Sequence, residues 1–253
     1  MTRLHLDNAN RQRGDTGWRG RFSADALKLL AHQVSVTALD LLFPPQCVHC
    51  QRVGSFLCPR CLAQIETAPA RTVEGLDDMR VAVAFEGPAR SAVHALKYDG
   101  VKRLAEPLAL LMVAALENVD WSVHMVCPVP LHRRRLQERG YNQSALLARA
   151  LAERMKWEFC EEAISRVRET ETQTHLNAQQ RRENVAGAFA VTPAQVEGRC
   201  VVVVDDVLTT GATLGACAAA LRAAGAQAVY GVALASAVFA DAGMGVFGTP
   251  GLP

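Results

Sequence analysis

Apolar residues recur at helical spacing early in the chain. Leu27, Leu30, Val34, Ala38 and Leu41 fall three and four positions apart and draw one stripe along a helix. Ser23 caps its start and Pro44–Pro45 stops it near Phe43. Lys28, His32, Gln33 and Asp40 interrupt the apolarity, so this helix lies against protein rather than in lipid. Further on, Arg80–Phe85 predicts a strand. Ala89–Lys97 predicts a helix closed by Tyr98-Asp99-Gly100, and Leu104–Leu116 a second helix. Val123–Val126 reads as a buried strand running into Pro128-Val129-Pro130, Ser144–Met155 as a helix and Ile164–Val167 as a strand. Thr170–Asn184 has no apolar period and reads as a loop, of a length that in a compact domain is usually functional or disordered.

The strongest run is Val201–Val204, apolar and β-branched, as a central parallel strand requires. Thr213–Ala224 then reads as a helix ended by Gly225, and Ala228–Val238 as the next strand. Residues 201–238 are thus one strand–loop–helix–strand unit, expected to cross over right-handed in a parallel sheet. The predicted class is α/β, with a doubly wound, mostly parallel sheet.

Composition narrows the function classes. Half of the 253 residues are hydrophobic, enough for a sizeable core, and the net charge of +2 gives no global signal for nucleic acid or a membrane surface. No apolar run reaches membrane-spanning length, so no membrane insertion is expected. The first residues, MTRLHLDNANRQRGDTGWRGR, lack an apolar core and a cleavage pattern, which points to the cytoplasm, where thiols stay reduced.

The eight cysteines therefore need a reading other than disulfides. Cys47-x2-Cys50 and Cys58-x2-Cys61 are two knuckles separated by seven residues. Each tight turn can aim two sulfurs at one ion, and four thiolates can surround Zn²⁺ tetrahedrally. The gap is shorter than the more usual fifteen to twenty or so, so the module must be compact. Such a closed site serves folding or docking rather than chemistry. Buried free thiols or a redox pair are the alternatives, and His49 is a substitute ligand. Cys127, Cys160, Cys200 and Cys217 lie in apolar segments and read as small core residues.

VVVVDDVLTTGAT, at Val201–Thr213, is a hydrophobic strand, two acids, and a small polar loop opening a helix. Backbone N–H groups at a helix start, with the positive end of the dipole, suit a phosphate. Gly211 permits the turn, and Thr209, Thr210 and Thr213 add hydroxyl donors. Asp205 and Asp206 stand at the strand end, where open α/β sheets bind ligands. Acids beside a phosphate make sense if they address hydroxyls or a metal. The combination points to a sugar phosphate, its ribose hydroxyls on the acids and its 5-phosphate on the loop. No Lys follows Gly211, which excludes a Walker loop, and the dinucleotide fingerprint G-x-G-x-x-G is absent here. A buried strand ended by solvated acids and a capping Thr is the structural alternative.

This segment resembles the 5-phosphoribosyl-1-pyrophosphate (PRPP) signature of the type I phosphoribosyltransferases. That resemblance implies that Asp205 and Asp206 hold the ribose hydroxyls. It implies also that Thr209, Thr210, Gly211, Ala212 and Thr213 hold the 5-phosphate, and that Mg²⁺ bridges pyrophosphate and sugar oxygens. CPVPLHRRRLQERGYNQSALLARALA at Cys127–Ala152, RVRETETQTHLNAQQRRENVAGAF at Arg166–Phe189, KYDG at Lys97–Gly100 and the four-cysteine finger ahead of the transferase domain all resemble the ComF family of competence proteins, and they stand in the right order. The similarity covers about Cys47 to Val238.

In a type I topology the stretch after Pro130 is the pyrophosphate loop. Arg133, Arg134, Arg135 and Arg139 are the cationic donors a leaving diphosphate needs. A solvated basic helix start and a nucleic-acid patch are the alternatives. The segment carrying Arg166, Arg168, Thr172, Gln173, Thr174, Arg181, Arg182 and Asn184 resembles in position the loop that closes over the reacting centre and excludes water. No strong general base is visible, but departure of pyrophosphate mainly needs charge stabilisation.

The expected organisation is a tail over 1–20, a helix plus compact, double zinc-ribbon-like module of four cysteines over 21–66, a phosphoribosyltransferase-like domain over 67–240, and a tail over 241–253. Two functions are carried forward. One is a PRPP-binding, phosphoribosyl-transferring protein linked to competence or DNA utilisation. The other is a non-catalytic interaction protein that contacts single-stranded DNA or a DNA-uptake helicase through the zinc module and Arg-rich loops. The sequence leaves acceptor and self-association, such as a homo-oligomer, open.

Overall fold

A computed structural model of the chain describes residues 44–168 and 187–237. The stripe from Leu27 to Leu41, the polar loop 170–184 with Gln173, Thr174, Arg181 and Arg182, and the C-terminal tail lie outside the described residues. No helix among the described residues is long and apolar enough to cross a membrane.

The elements follow in the order α1 (Pro59–Leu62), β1 (Asp78–Ala84), α2 (Gly87–Tyr98), α3 (Ala105–Ala114), β2 (Met125–Pro128), α4 (Arg133–Arg139) and α5 (Gln143–Met155). They continue with β3 (Glu158–Phe159), β4 (Ile164–Arg166), β5 (Phe189–Val191), α6 (Pro193–Val196), β6 (Cys200–Leu208), α7 (Ala212–Ala223) and β7 (Ala228–Ser236). Five strands form one sheet in the order β1-β7-β6-β2-β3, and each adjacent pair is parallel. The expected parallel sheet is present, with the Val201–Val204 run at its centre.

Alternation along β6 divides the core. Val202 and Val204 join Val232 and Leu234 on the face covered by Leu96 of α2, Leu108 and Met112 of α3, and Leu147 and Leu151 of α5. Val201 and Val203 join Val229 and Ala233 on the other face, covered by Leu214, Cys217 and Leu221 of α7. A strand buried on both faces needs apolar side chains at every position, which is why the run is unbroken valine. Cys47, Leu57, Cys58 and Cys61 belong to the first of these clusters, so the cysteine module and the sheet share one core.

Four features differ from the sequence expectation. β6 runs on to Leu208, so Asp205 and Asp206 lie within the strand, still in register with β7. Arg133–Arg139 is a helix, started by His132 and stopped by Gly140 at φ 75°. The strand at Ile164 leaves the central sheet and pairs antiparallel with β5 in a separate two-stranded ribbon that flanks the polar segment. β3 is a two-residue edge strand that carries no apolar signal of its own.

Candidate functional site

The candidate site stands at the C-terminal end of β6, in a cavity of about 740 Å³. This volume falls within the roughly 300–1,000 Å³ of small-molecule sites. Pleating turns successive side chains to opposite faces, and this separates the two acids. Asp205 Oδ1 accepts from Ser144 Oγ at 3.2 Å and from the Asp206 backbone N–H at 2.9 Å. Asp206 Oδ1 pairs with Lys97 Nζ at 2.9 Å, with only 5% of its side chain exposed. Asp206 Oδ2 is buried and has no hydrogen-bond partner. An acceptor so placed costs free energy unless a donor or cation reaches it. Burial and the neighbouring Asp206 charge raise the Asp205 carboxyl to about 7, against the lowering effect of Lys97 and its two hydrogen-bond donors.

Three elements position these groups. Asn142 caps α5, accepting from the Ser144 N–H at 3.0 Å, and donates to the Val129 carbonyl at 3.0 Å. The end of β2 is thereby tied to α5, and Ser144 is aimed at Asp205. Lys97 comes from the last turn of α2, whose register is pinned by Tyr141 Oη donating to the Leu96 carbonyl. The loop Thr209–Thr213 turns through Gly211 at φ 79° into α7, and Thr210 Oγ1 accepts from the Ala212 N–H at 3.4 Å. A Cβ on Gly211 would lie 2.5 Å from Val73 Cγ2, so glycine is needed twice over. Arg71 donates to the Thr209 carbonyl at 3.3 Å, which braces the same turn from behind.

Among the expected phosphate-loop residues, Thr209, Gly211, Ala212 and Thr213 line the cavity, while Thr210 acts from the flank. Of the arginines, Arg135 and Arg139 line it; Arg133 and Arg134 do not, and Arg134 pairs with Glu138 at 3.0 Å. Arg166 lines it too. Burial, then the nearby Arg135 charge, lower the Arg166 guanidinium pKa, with Asp205 and Cys217 opposing. Guanidiniums crowded in this way favour an anion between them. Lys97 and Ser144 were not assigned roles from the sequence. KYDG carried the signal for Lys97, since a lysine at a helix end needs an acid and β6 supplies two.

Within the cysteine module, the Sγ atoms of Cys47, Cys50, Cys58 and Cys61 all lie within 4.8 Å of one another, and all four thiols are free. Cys50 Sγ and Cys58 Sγ are 3.6 Å apart. Tetrahedral zinc with bonds of about 2.3 Å sets its sulfurs about 3.8 Å apart, so the arrangement fits such an ion. At Cys47, burial raises the thiol, but backbone N–H donors from Cys50, Cys58 and His49 outweigh it and bring the pKa to about 6. Burial, then the neighbouring thiols, push Cys61 to about 12. His49 Nδ1 is instead 3.0 Å from Ser91 Oγ on α2.

The parallel sheet, the acid pair and the Thr/Gly loop together define a phosphoribosyltransferase-type fold. The phosphoribosyl transferase domain family matches residues 142–245. The chain is 32% identical over 198 residues to the DNA utilization protein YhgH of Escherichia coli K12, covering 76% of this chain and 83% of that protein. It is 29% identical over 200 residues to Competence protein F of Haemophilus influenzae, covering 76% and 85%. Adenine phosphoribosyltransferase of Thermoanaerobacter pseudethanolicus is a more distant structural match, with TM-score 0.36 and 17% identity over 54% of this chain and 83% of that one. The chain belongs to the ComF/YhgH family of phosphoribosyltransferase-fold proteins.

Proposed function

We infer that this chain binds PRPP and transfers its ribose 5-phosphate to a nitrogen acceptor, in the cytoplasm and in the service of DNA utilisation or competence. The observation that carries this reading is Asp206 Oδ2, buried and unpartnered beside the Thr209–Thr213 loop. A ribose hydroxyl donates one hydrogen bond and would meet that oxygen; Asp205 takes the other hydroxyl. Thr209, Thr210, Gly211, Ala212 and Thr213 hold the 5-phosphate through backbone N–H groups and hydroxyls at the start of α7. Arg135 and Arg139 face the diphosphate, and Arg133 and Arg134 supply outer positive charge. The family resemblance makes Gln173, Thr174, Arg181 and Arg182, which lie outside the described residues, further candidates for diphosphate contact.

In the transfer the C1–O bond breaks, diphosphate leaves with its electron pair, and the acceptor nitrogen forms the new C1–N bond and gives up its proton to the departing diphosphate. The residues here orient the sugar and stabilise the departing charge, which is where most of the rate of such a step arises. Mg²⁺, arriving with PRPP, would neutralise diphosphate charge, while Asp205 and Asp206 keep the ribose hydroxyls. Zn²⁺ fits Cys47, Cys50, Cys58 and Cys61 and stabilises the module that shares the core. We take 21–66 as the helix and zinc module and 67–240 as the transferase-like domain.

Release of pyrophosphate from PRPP and Mg²⁺, assayed with a panel of nitrogenous bases, tests transfer. Release dependent on one base supports it. PRPP binding without release under any base leaves a binding protein and removes the enzyme.

A second reading rests on α4, where Arg133, Arg134 and Arg135 are exposed. The chain would then contact single-stranded DNA or a partner of the uptake machinery. Salt-dependent DNA affinity lost on neutralising these three arginines would favour it.

A further inference from the structure

The segment Arg71–Asp77, just ahead of β1, lies along one stripe of α7. Gly211, Gly215, Ala218 and Arg222 follow one another at helical spacing, which puts them on one face. Val73 occupies the space that a side chain on Gly211 would need. A Cβ on Gly215 would stand 3.0 Å from the Glu74 carbonyl oxygen, and one on Gly75 would stand 3.6 Å from Ala218 Cβ. Glycine inside a helix is unfavourable relative to alanine; at Gly215 the close approach of Glu74 requires it. Further along, Arg222 Nε donates to the Gly75 carbonyl at 3.0 Å, and Arg222 Nη2 pairs with Asp77 Oδ2 at 2.5 Å. Asp77 is tied to β7 as well. Its Oδ2 accepts from the Val229 N–H at 2.7 Å, and its own N–H donates to the Val229 carbonyl at 2.9 Å.

The other end of this segment meets the turn before α7. Arg71 Nη2 donates to the Thr209 carbonyl at 3.3 Å; Thr209 lines the cavity and Arg71 does not. The described peptides are all trans. In a trans peptide the N–H of the following residue points opposite to the carbonyl. Holding the Thr209 carbonyl therefore fixes the direction of the Thr210 N–H. A flip of this one peptide would exchange a donor for a carbonyl oxygen, which repels an anion.

Resting on the phosphoribosyl reading of the Thr209–Thr213 loop, we propose that Arg71–Asp77 is a strap that presets the phosphate turn, with Arg71 as its positioning residue. The strap is fastened at both ends of α7, by Arg71 at the start and by the Asp77–Arg222 pair at the finish. From Gly211 to Arg222 the helix rises roughly 16 Å at about 1.5 Å per residue. That exceeds the Debye length of about 8–10 Å at ordinary salt. Arg222 thus acts on a ligand at the turn only through the strap.

Titration calorimetry with ribose 5-phosphate, together with amide hydrogen exchange followed by NMR, tests this. Arg71→Ala should weaken ribose 5-phosphate about tenfold, and Arg71→Lys should regain part of the loss. Arg222→Ala should weaken it about threefold from the far end of α7. Circular dichroism should show all three variants folded. In the wild type, ribose 5-phosphate should slow exchange of the Asp77 N–H, because coupling between the two places is reciprocal. Arg71→Ala should abolish that slowing. Wild-type affinity in Arg71→Ala or in Arg222→Ala, or Asp77 exchange indifferent to the ligand, would overturn the strap while leaving the sugar-phosphate site standing. If the wild type binds no ribose 5-phosphate, the phosphoribosyl reading fails first and the strap with it.

Discussion

Lys97 Nζ lies 2.9 Å from Asp206 Oδ1, joining the last turn of α2 to the centre of the sheet. Their side chains are 19% and 5% exposed, so neither charge is well solvated. Removing one member of such a pair leaves the other uncompensated, at a cost of about 3 kcal/mol. Lys97→Ala is therefore expected to lower denaturant stability by about that much. Adding Asp206→Asn to it should restore much of the loss without restoring phosphoribose affinity. If both variants bind as the wild type does, the pair is structural only.

Asp205 ties function to pH. Its carboxyl is raised to about 7 in the fold. Unfolded, it titrates near its ordinary 3.8. Between about 4 and 7 the folded state therefore binds more protons than the unfolded one, and stability falls as pH rises through this window. Above about 7 both states are ionised and the full destabilisation persists. Asp205→Asn removes that cost, so its Tm should exceed the wild type's at pH 8, and the gap should shrink toward pH 5. Phosphoribose affinity runs the other way: it rises through pH 7 in the wild type and is lost in the variant. A pH-independent Tm difference would contradict this.

The turn at Gly211 is sterically closed. With φ at 79° and Val73 Cγ2 at 2.5 Å from an added Cβ, Gly211→Ala forces the loop or Val73 to move. Phosphate affinity should fall by tenfold or more. Val73→Ala in the same chain relieves the clash but not the backbone strain, so recovery should be partial. Full recovery would mean that contact alone sets the turn.

The cysteine module should carry one zinc per chain, measurable by plasma emission. Because Cys47, Cys58 and Cys61 share the core with α2 and α3, losing the ion should destabilise more than the knuckles. Cys58→Ser with Cys61→Ser should abolish zinc and cost about 3 kcal/mol or more, a Tm drop of roughly 6–12 °C. Wild-type protein that binds no zinc while titrating all eight cysteines as free thiols on unfolding would remove the metal.

Much of this was legible in the residues. The unbroken valines gave the buried strand, the paired x2 spacings gave the cysteine cluster, and the Thr/Gly loop gave the turn into α7. What escaped was contact between distant segments. Ser144 meets Asp205 across 61 positions, and Arg71 braces Thr209 across 138. Neither pairing leaves a periodic trace. α4 stood only as the alternative of a solvated basic helix start, because three consecutive arginines carry no apolar stripe; its end at Gly140 was the available sign. The ribbon β4–β5 escaped because Phe189–Val191 is too short to show alternation.

The acid pair beside the Thr209–Thr213 loop is tested most directly by calorimetric titration of PRPP with Mg²⁺ into wild-type protein and into Asp206→Asn, with circular dichroism checking that both are folded. The wild type should bind, and the variant should bind at least tenfold more weakly with an unchanged spectrum. No binding to the wild type at millimolar PRPP, or equal affinity in the two proteins, would contradict a phosphoribosyl site at Asp206.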